Sequence, residues 1–224
     1  KLECFGMNAF RQNERLGRGV NILGYDPVWR NRSMARMRSE HFRLIGSVGF
    51  NSVRIALHPF RDGAMGEGNR LSEEWLETLE WAVEQALGNW LMPIIDFHEF
   101  IIMGRDPSGN RDRLLAFWDQ IGRLSNYPDG VVFELLNEPN GELTPELWNR
   151  LLAEILKTVR KTNPDRTVII GPALWNSITG LDKLVLPEED RNIIVTVHYY
   201  EPMDFTHQGA KWAGRENKLG VRWT

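Results

Sequence analysis

Apolar residues fall along this chain in two alternating patterns. Short, nearly unbroken apolar runs occupy 19–23, 51–57, 91–97, 131–136, 167–171 and 192–199. They are rich in Val, Ile, Leu and Phe, and each reads as a strand buried on both faces. Between them the apolar positions recur with a helical period. Trp75, Leu79, Ala82, Val83 and Ala86 form one stripe, and Trp148, Leu151, Leu152, Ile155, Leu156 and Val159 form another. Leu114, Phe117, Trp118 and Ile121 predict a helix over 111–124, and Met34, Met37, Phe42, Leu44 and Ile45 predict one over 32–48.

The end signals agree with these elements. Ser72 precedes Glu73 and Glu74, an N-cap followed by anions where the helix dipole favours them. Thr144-Pro145 is an N-cap and first helical residue, while Gly49 and Gly88 close their helices. Tyr127-Pro128-Asp129-Gly130 and Asn163-Pro164-Asp165 are turns by composition, and 61–70 and 104–110 are polar loops. Residues 1–16 read as a lead-in with one short helix, a short helical stretch surrounds Leu181, and no element is expected from 209 onward.

Strands alternating with helices imply a parallel sheet with crossover helices. The strand spacing suits the βα unit of a (β/α)₈ TIM-type barrel. The rival is an open doubly wound sheet, but no Gly-rich dinucleotide fingerprint follows the first strand, because Gly17-Arg18-Gly19 precedes it. The expectation is therefore an α/β, (β/α)₈-type barrel in one domain spanning 1–224, with about six βα units present and the C-terminal units missing. Truncation, a naturally short fold, or self-association that completes the barrel would each account for the shortfall.

Composition narrows the function. Of 224 residues, 27 are Lys or Arg and 30 are Asp or Glu, so no basic surplus points to nucleic acid or an anionic membrane. No apolar run is long enough to span a bilayer. The single cysteine, Cys4, allows no intrachain disulfide. The opening KLECFGMNAF has no signal-peptide pattern, so the chain is either intracellular or has lost its signal. The nine tryptophans are numerous for this length; such rings stack on sugars, and they also fill cores.

Candidate chemistry gathers where the strands end. The fourth run, VVFELLNEPN (131–140), delivers Asn137-Glu138-Pro139. Pro139 lacks an N–H and restricts Glu138 to extended backbone, which should stop the strand. Arg54 lies in the second strand, Asp96 and His98 end the third, and Glu134 lies in the fourth. Trp175 and Asn176 follow the fifth, and His198, Tyr200 and Glu201 end the sixth. An unpaired buried charge costs several kcal/mol. Polar residues at corresponding ends of successive strands therefore imply one shared pocket. Asp96 and Glu134 lie deeper and read as buried support, with Arg54 as a cation for Glu134. His98 alone would be a core histidine, and Trp175 alone a core tryptophan.

Elimination leaves one chemistry. There is no G-x-S-x-G nucleophile elbow and no phosphate loop. A metal site from His98, Glu99, Glu138 and His198 lacks a compact ligand motif. Carboxylate acid/base work among abundant aromatics remains, as in glycoside hydrolysis.

The residues Asn21, Asn51-Ser52-Val53-Arg54, Ile95-Asp96-Phe97-His98, Asn137-Glu138-Pro139 and His198-Tyr199-Tyr200 resemble glycoside hydrolase family 5, the cellulase family of clan A. LGRGVNILG and FTHQGAKW (205–212) resemble its bacterial endoglucanases. The resemblance implies a (β/α)₈ barrel that hydrolyses β-1,4-linked polysaccharide with retention and without a cofactor or metal. It implies Glu138 as acid/base and Asn137 as partner of the sugar 2-hydroxyl. Arg54 would hold the carboxylates, and His98 and His198 would line the subsite of the reacting sugar. Tyr200 would bond the nucleophile, and Asn21, Trp175 and Trp212 would bind the glucan chain. The chain departs from the family at His98-Glu99, where many relatives carry two histidines. The family's nucleophile, a Glu ending a seventh strand, and a Trp on the eighth have no counterpart here. Glu201 is the nearest substitute but does not match that position.

The expected partner is a β-linked polysaccharide or oligosaccharide, the expected compartment extracellular, with the cytoplasm as alternative. Mannan or xylan in place of glucan is the alternative within the family's range, and a catalytically silent sugar-binding barrel is the reading from another class.

Overall fold

A computed structural model describes residues 8–122, 130–213 and 219–223. Six strands lie in chain order in one parallel sheet: β1 (Gly19–Ile22), β2 (Ser52–Leu57), β3 (Met92–Phe97), β4 (Val132–Glu134), β5 (Val168–Ile170) and β6 (Ile193–Val195). The order β1-β2-β3-β4-β5-β6 is that of a singly wound barrel, because a doubly wound sheet reverses its order at a switch point. The helices are α1 (Ala9–Leu16), α2 (Ser39–Ser47), α3 (Glu73–Gly88), α4 (Phe100–Arg105), α5 (Pro107–Gly122), α6 (Pro145–Arg160) and the short α7 (Met203–Thr206).

The two-residue period of the strands divides the sheet into two faces. Val53, Ile55, Leu57, Ile95, Phe97, Phe133, Val168 and Ile170 join the main core with the helices. Met92, Ile94, Val132 and Ile169 form a smaller cluster on the opposite, inner face. Arg54, Asp96 and Glu134 share that inner face, in register with Ile94, Ala56 and Asp96 of the neighbouring strands. Polar strand residues thus end up together because they share parity and level.

Tryptophan ties the helices to the strand ends. Trp118 of α5 donates its indole N–H to Leu135 O (3.1 Å), Trp148 of α6 to Gly171 O (3.0 Å), and Trp29 to Leu23 O (2.7 Å). Each carbonyl lies just past a strand, where the ladder has ended and an acceptor needs a partner. These three tryptophans and Trp75 are buried, whereas Trp90, Trp175, Trp212 and Trp223 are exposed.

Four local expectations change. The helix expected over 32–48 begins only at Ser39. Asn31 caps a separate 3₁₀ turn at Arg32–Met34, and Asp26 accepts the N–H groups of Arg36 and Met37, which holds the link out of the helix. The polar stretch 104–110 is helical on both sides of Asp106, which accepts the Gly109 N–H and caps the start of α5. Its expected last turn, toward Leu124, lies outside the described residues, as do Cys4 and most of the turn at 127–129. β6 stops at Val195 rather than 199, since its partner β5 ends at Ile170. Glu138 is not extended: its φ is 43°.

Candidate active site

Arg54 is the hub on the inner face. Its Nε and Nη2 donate to Glu134 Oε2 (2.6 Å) and Oε1 (2.8 Å), a bidentate pair. Nη2 also donates to Asn137 Oδ1 (2.8 Å) and lies 3.0 Å from Asp96 Oδ2, while Nη1 reaches Asn21 Oδ1 at 3.4 Å. Burial opposes the Arg54 charge, but Asp96 and Glu134 outweigh it and raise its pKa. Burial, with Asp96 beside it, pushes Glu134 upward against the pull of Arg54. The buried support expected of Asp96 and Glu134 is what the geometry shows, for both are buried and held on Arg54.

Three side chains each have one end tied and the other free. Asn137 accepts from Arg54 through Oδ1, which leaves its amide N–H groups to donate. His98 meets Asp96 Oδ2 through Nδ1 at 2.5 Å; a carboxylate acceptor puts the proton on Nδ1 and leaves Nε2 as an acceptor. Glu138 Oε1 lies 2.6 Å from His198 Nδ1. Asn176 presents its amide nitrogen to His198 Nε2 at 3.3 Å, so both ring nitrogens of His198 are engaged. Oε2 of Glu138 is left unengaged by His198.

Backbone conformation brings these groups to the rim. Glu138 sits at positive φ, held by Asn137 N–H to Phe97 O (3.0 Å) and by Asn140 Nδ2 to Glu138 O (2.8 Å). These bonds override the extended preference expected before Pro139. A left-handed non-glycine residue costs about 1–3 kcal/mol and persists where tertiary bonds over-determine it. Leu174, Trp175 and Asn176 are left-handed in succession, with φ of 65°, 65° and 55°. This turn donates Trp175 N–H to Pro139 O (3.0 Å) and accepts His198 N–H at Asn176 O (2.9 Å), so it clasps the ends of β4 and β6.

The remaining expected residues lie farther out. Tyr200 packs edge-on to His198 (6.2 Å between centroids), and burial and the Glu138 charge raise its phenol pKa. Trp175 is half-exposed and packs against Phe100. Among the described residues, Trp212 joins through His207, whose ring lies 5.0 Å from Tyr200 and 5.1 Å from Trp212. Glu201 is exposed, and its Oε2 accepts the Met203 N–H at 3.1 Å. Among the described residues, no three His, Cys, Asp or Glu are grouped to hold a metal ion, and no helix is long and apolar enough to cross a membrane.

Sequence reasoning placed Asn176 among the strand-end residues but missed His58 and His207 as members. His58 follows Leu57 directly at the end of β2, as His98 follows Phe97 at the end of β3, and that parallel was visible. Its pKa is pushed down to about 3 by burial, then by the positive Arg61 and by His98.

A six-strand α/β barrel sheet with a histidine-bonded carboxylate after β4 defines a class of proteins, and the comparisons name the family. Residues 13–223 match the cellulase family, glycosyl hydrolase family 5, and the chain belongs to it. Endoglucanase H of Acetivibrio thermocellus is 31% identical over 214 residues, which are 93% of this chain and 23% of that protein. A hyperthermophilic endo-β-1,4-glucanase solved with substrate superposes with a TM-score of 0.88 at 36% identity, over 97% of this chain and 71% of that one. Thermotoga maritima Cel5A superposes at 0.87 and 37% identity over the same shares, both with cellobiose and with mannotriose. The chain thus contributes six βα units of a (β/α)₈ barrel. It spans about a quarter to a third of the length of several curated relatives it matches, among them endoglucanase H.

Proposed function

We propose that this chain carries the acid/base half of an endo-acting, retaining hydrolase of β-1,4-glucan. One observation carries the reading: Glu138, at the C-terminal end of β4, is bonded at Oε1 by His198 while Arg54 orients Asn137 beside it. Oε2 of Glu138 passes a proton to the leaving glycosidic oxygen and then takes one from water. The free amide N–H of Asn137 donates to the sugar 2-hydroxyl, a contact that strengthens in the transition state. His98, held through Nδ1 by Asp96, turns Nε2 to a sugar hydroxyl. Trp175, Trp212 and Asn21 contact the flanking sugars.

Retention needs a second carboxylate about 5–5.5 Å from the first. Asp96 and Glu134 do not fill that role, because Arg54 engages both and His98 occupies Asp96 as well. Their part is to hold Arg54. Mannan is the second reading, supported by the mannotriose complex of the similar Cel5A. Reducing-sugar release from carboxymethyl-cellulose, mannan and xylan, measured side by side on the protein as its gene encodes it, tests the proposal. Release from cellulose is expected to lead; no release from any of the three overturns the reading.

A further inference from the structure

Glu99 stands where the sequence departs from its family, and its carboxylate does not face the reacting centre. It is buried, and its Oε1 accepts two successive backbone N–H groups, Phe60 at 2.6 Å and Arg61 at 2.9 Å. Those amides belong to the turn after β2, which closes on itself through Asp62 N–H to His58 O (2.8 Å) and Ala64 N–H to Pro59 O (2.9 Å). The first residue of that turn is His58. Its ring lies edge-on to His98, 5.0 Å between centroids, with Tyr25 on it at 5.3 Å. His58 Nε2 is buried without a partner, and Nδ1 stands 4.0 Å from Glu99 Oε2, beyond hydrogen-bond reach. Packing therefore holds this ring. On another side of His98, Phe100 packs edge-on at 5.2 Å.

These contacts form a chain that ends on a substrate-facing group. Glu99 seats the turn, the turn seats His58, and His58 with Phe100 limits the tilt of the His98 ring. The Asp96 bond fixes Nδ1 and the Cβ–Cγ bond tethers the ring, which leaves the remaining tilt to be limited by packing. A ring tilted by about 10–20° carries Nε2 off a bound hydroxyl. A histidine at position 99 could not gather two amide N–H groups as a carboxylate does, since it offers a single acceptor nitrogen.

We propose that Glu99 and His58 are positioning residues that fix the plane of His98 and so the direction of its Nε2. The binding part of this inference rests on the glucan reading above; the ring geometry does not. The test uses ¹H–¹⁵N spectra of the histidine rings and calorimetric binding of cellotriose. Glu99→Ala is expected to shift or broaden the His98 ring signals and leave those of His198 in place. It should weaken cellotriose binding about tenfold at unchanged stoichiometry, the scale of one well-placed hydrogen bond. Glu99→Gln, which keeps an acceptor for the amides, and His58→Phe, which keeps the ring, should stay within about threefold of the parent. A merely structural Glu99 would instead lower the stoichiometry and leave the affinity unchanged. Unchanged His98 signals in Glu99→Ala overturn the proposal. Should that variant not fold, His58→Ala reaches His98 without touching the amides, and unchanged His98 signals there overturn it equally. Failure of the parent protein to bind cellotriose removes the glucan reading, while the ring signals still decide the positioning.

Discussion

The two sides of the strand-end rim are built by different physics. On the β2–β4 side, Arg54, Asp96, Glu134 and Asn137 project from or just beyond strands, are largely buried, and interlock through short charged hydrogen bonds. On the β5–β6 side, Trp175, His198, Tyr200 and Trp212 sit on loops and touch mainly ring to ring, with Trp212 77% exposed. Buried charge demands partners and so fixes geometry. Exposed aromatics keep their freedom and offer flat apolar faces. Glu138 lies at the junction, with its backbone bonded to the first side through Asn137 and its carboxylate to the second through His198. On the glucan reading proposed above, the rigid side would set charge and the looser side would accommodate sugar.

The largest expected effect falls at that junction. Glu138→Ala should lower hydrolysis of soluble cellulose about 10²–10⁴-fold, the usual contribution of a positioned acid/base. Retained activity in a reducing-sugar assay would remove Glu138 from its role.

Arg54→Met tests the rigid side. It leaves two buried carboxylates without their cation, and urea unfolding should show a loss of about 3–5 kcal/mol. Arg54→Lys should recover only part of it, because an ammonium cannot make the bidentate pair with Glu134. An equal loss from Trp212→Ala would erase the contrast between the two sides.

His58 adds a pH dependence to the rigid side. Its folded value of about 3 lies below the ordinary 6.5. Between those values the unfolded chain takes up a proton that the native state refuses. The native state is therefore unpenalised above the ordinary value and loses stability as pH falls toward the folded one. From pH 7 to pH 5 this amounts to about 2 kcal/mol. His58→Phe should remove that part of the acid loss, read as the difference between urea curves at the two pH values. Identical losses in parent and variant would show that His58 is not held neutral.

The smallest effect belongs to the loose side. Trp212→Ala should change stability by no more than about 0.5 kcal/mol, while weakening oligosaccharide affinity several-fold, about 0.5–1.5 kcal/mol for a lost aromatic platform. Calorimetry with cellotetraose separates the two readings.

Much of the rigid side was legible because its signals are local. A charged residue inside an apolar strand, such as Arg54 or Glu134, announces a buried partner, and the two-residue period assigns its face. Glu138 and His198 were legible by their places after strands. Less was legible where tertiary bonds overrule local preference. Glu138 left the extended region that Pro139 favours, and Leu174, Trp175 and Asn176 adopted three left-handed conformations in a row. No residue among these is glycine, so nothing in composition marked the turn. The helix expected from Arg32 was cut back to Ser39 by Asp26, a residue distant enough in sequence to escape any helical window.

By itself, the sequence determined the parallel α/β architecture, the six strands, and the set of strand-end residues from which a site could be made. Periodicity and burial cost act residue by residue, and both are written in the order of the chain. The tertiary structure alone decided which nitrogen of His98 is free, that both nitrogens of His198 are engaged, which oxygen of Glu138 His198 takes, and that Glu99 serves the backbone. Apart from the His98–Asp96 bond, those outcomes depend on distances between groups tens of residues apart, such as the 2.6 Å from Glu138 to His198, and hydrogen bonding at that range has no local signature.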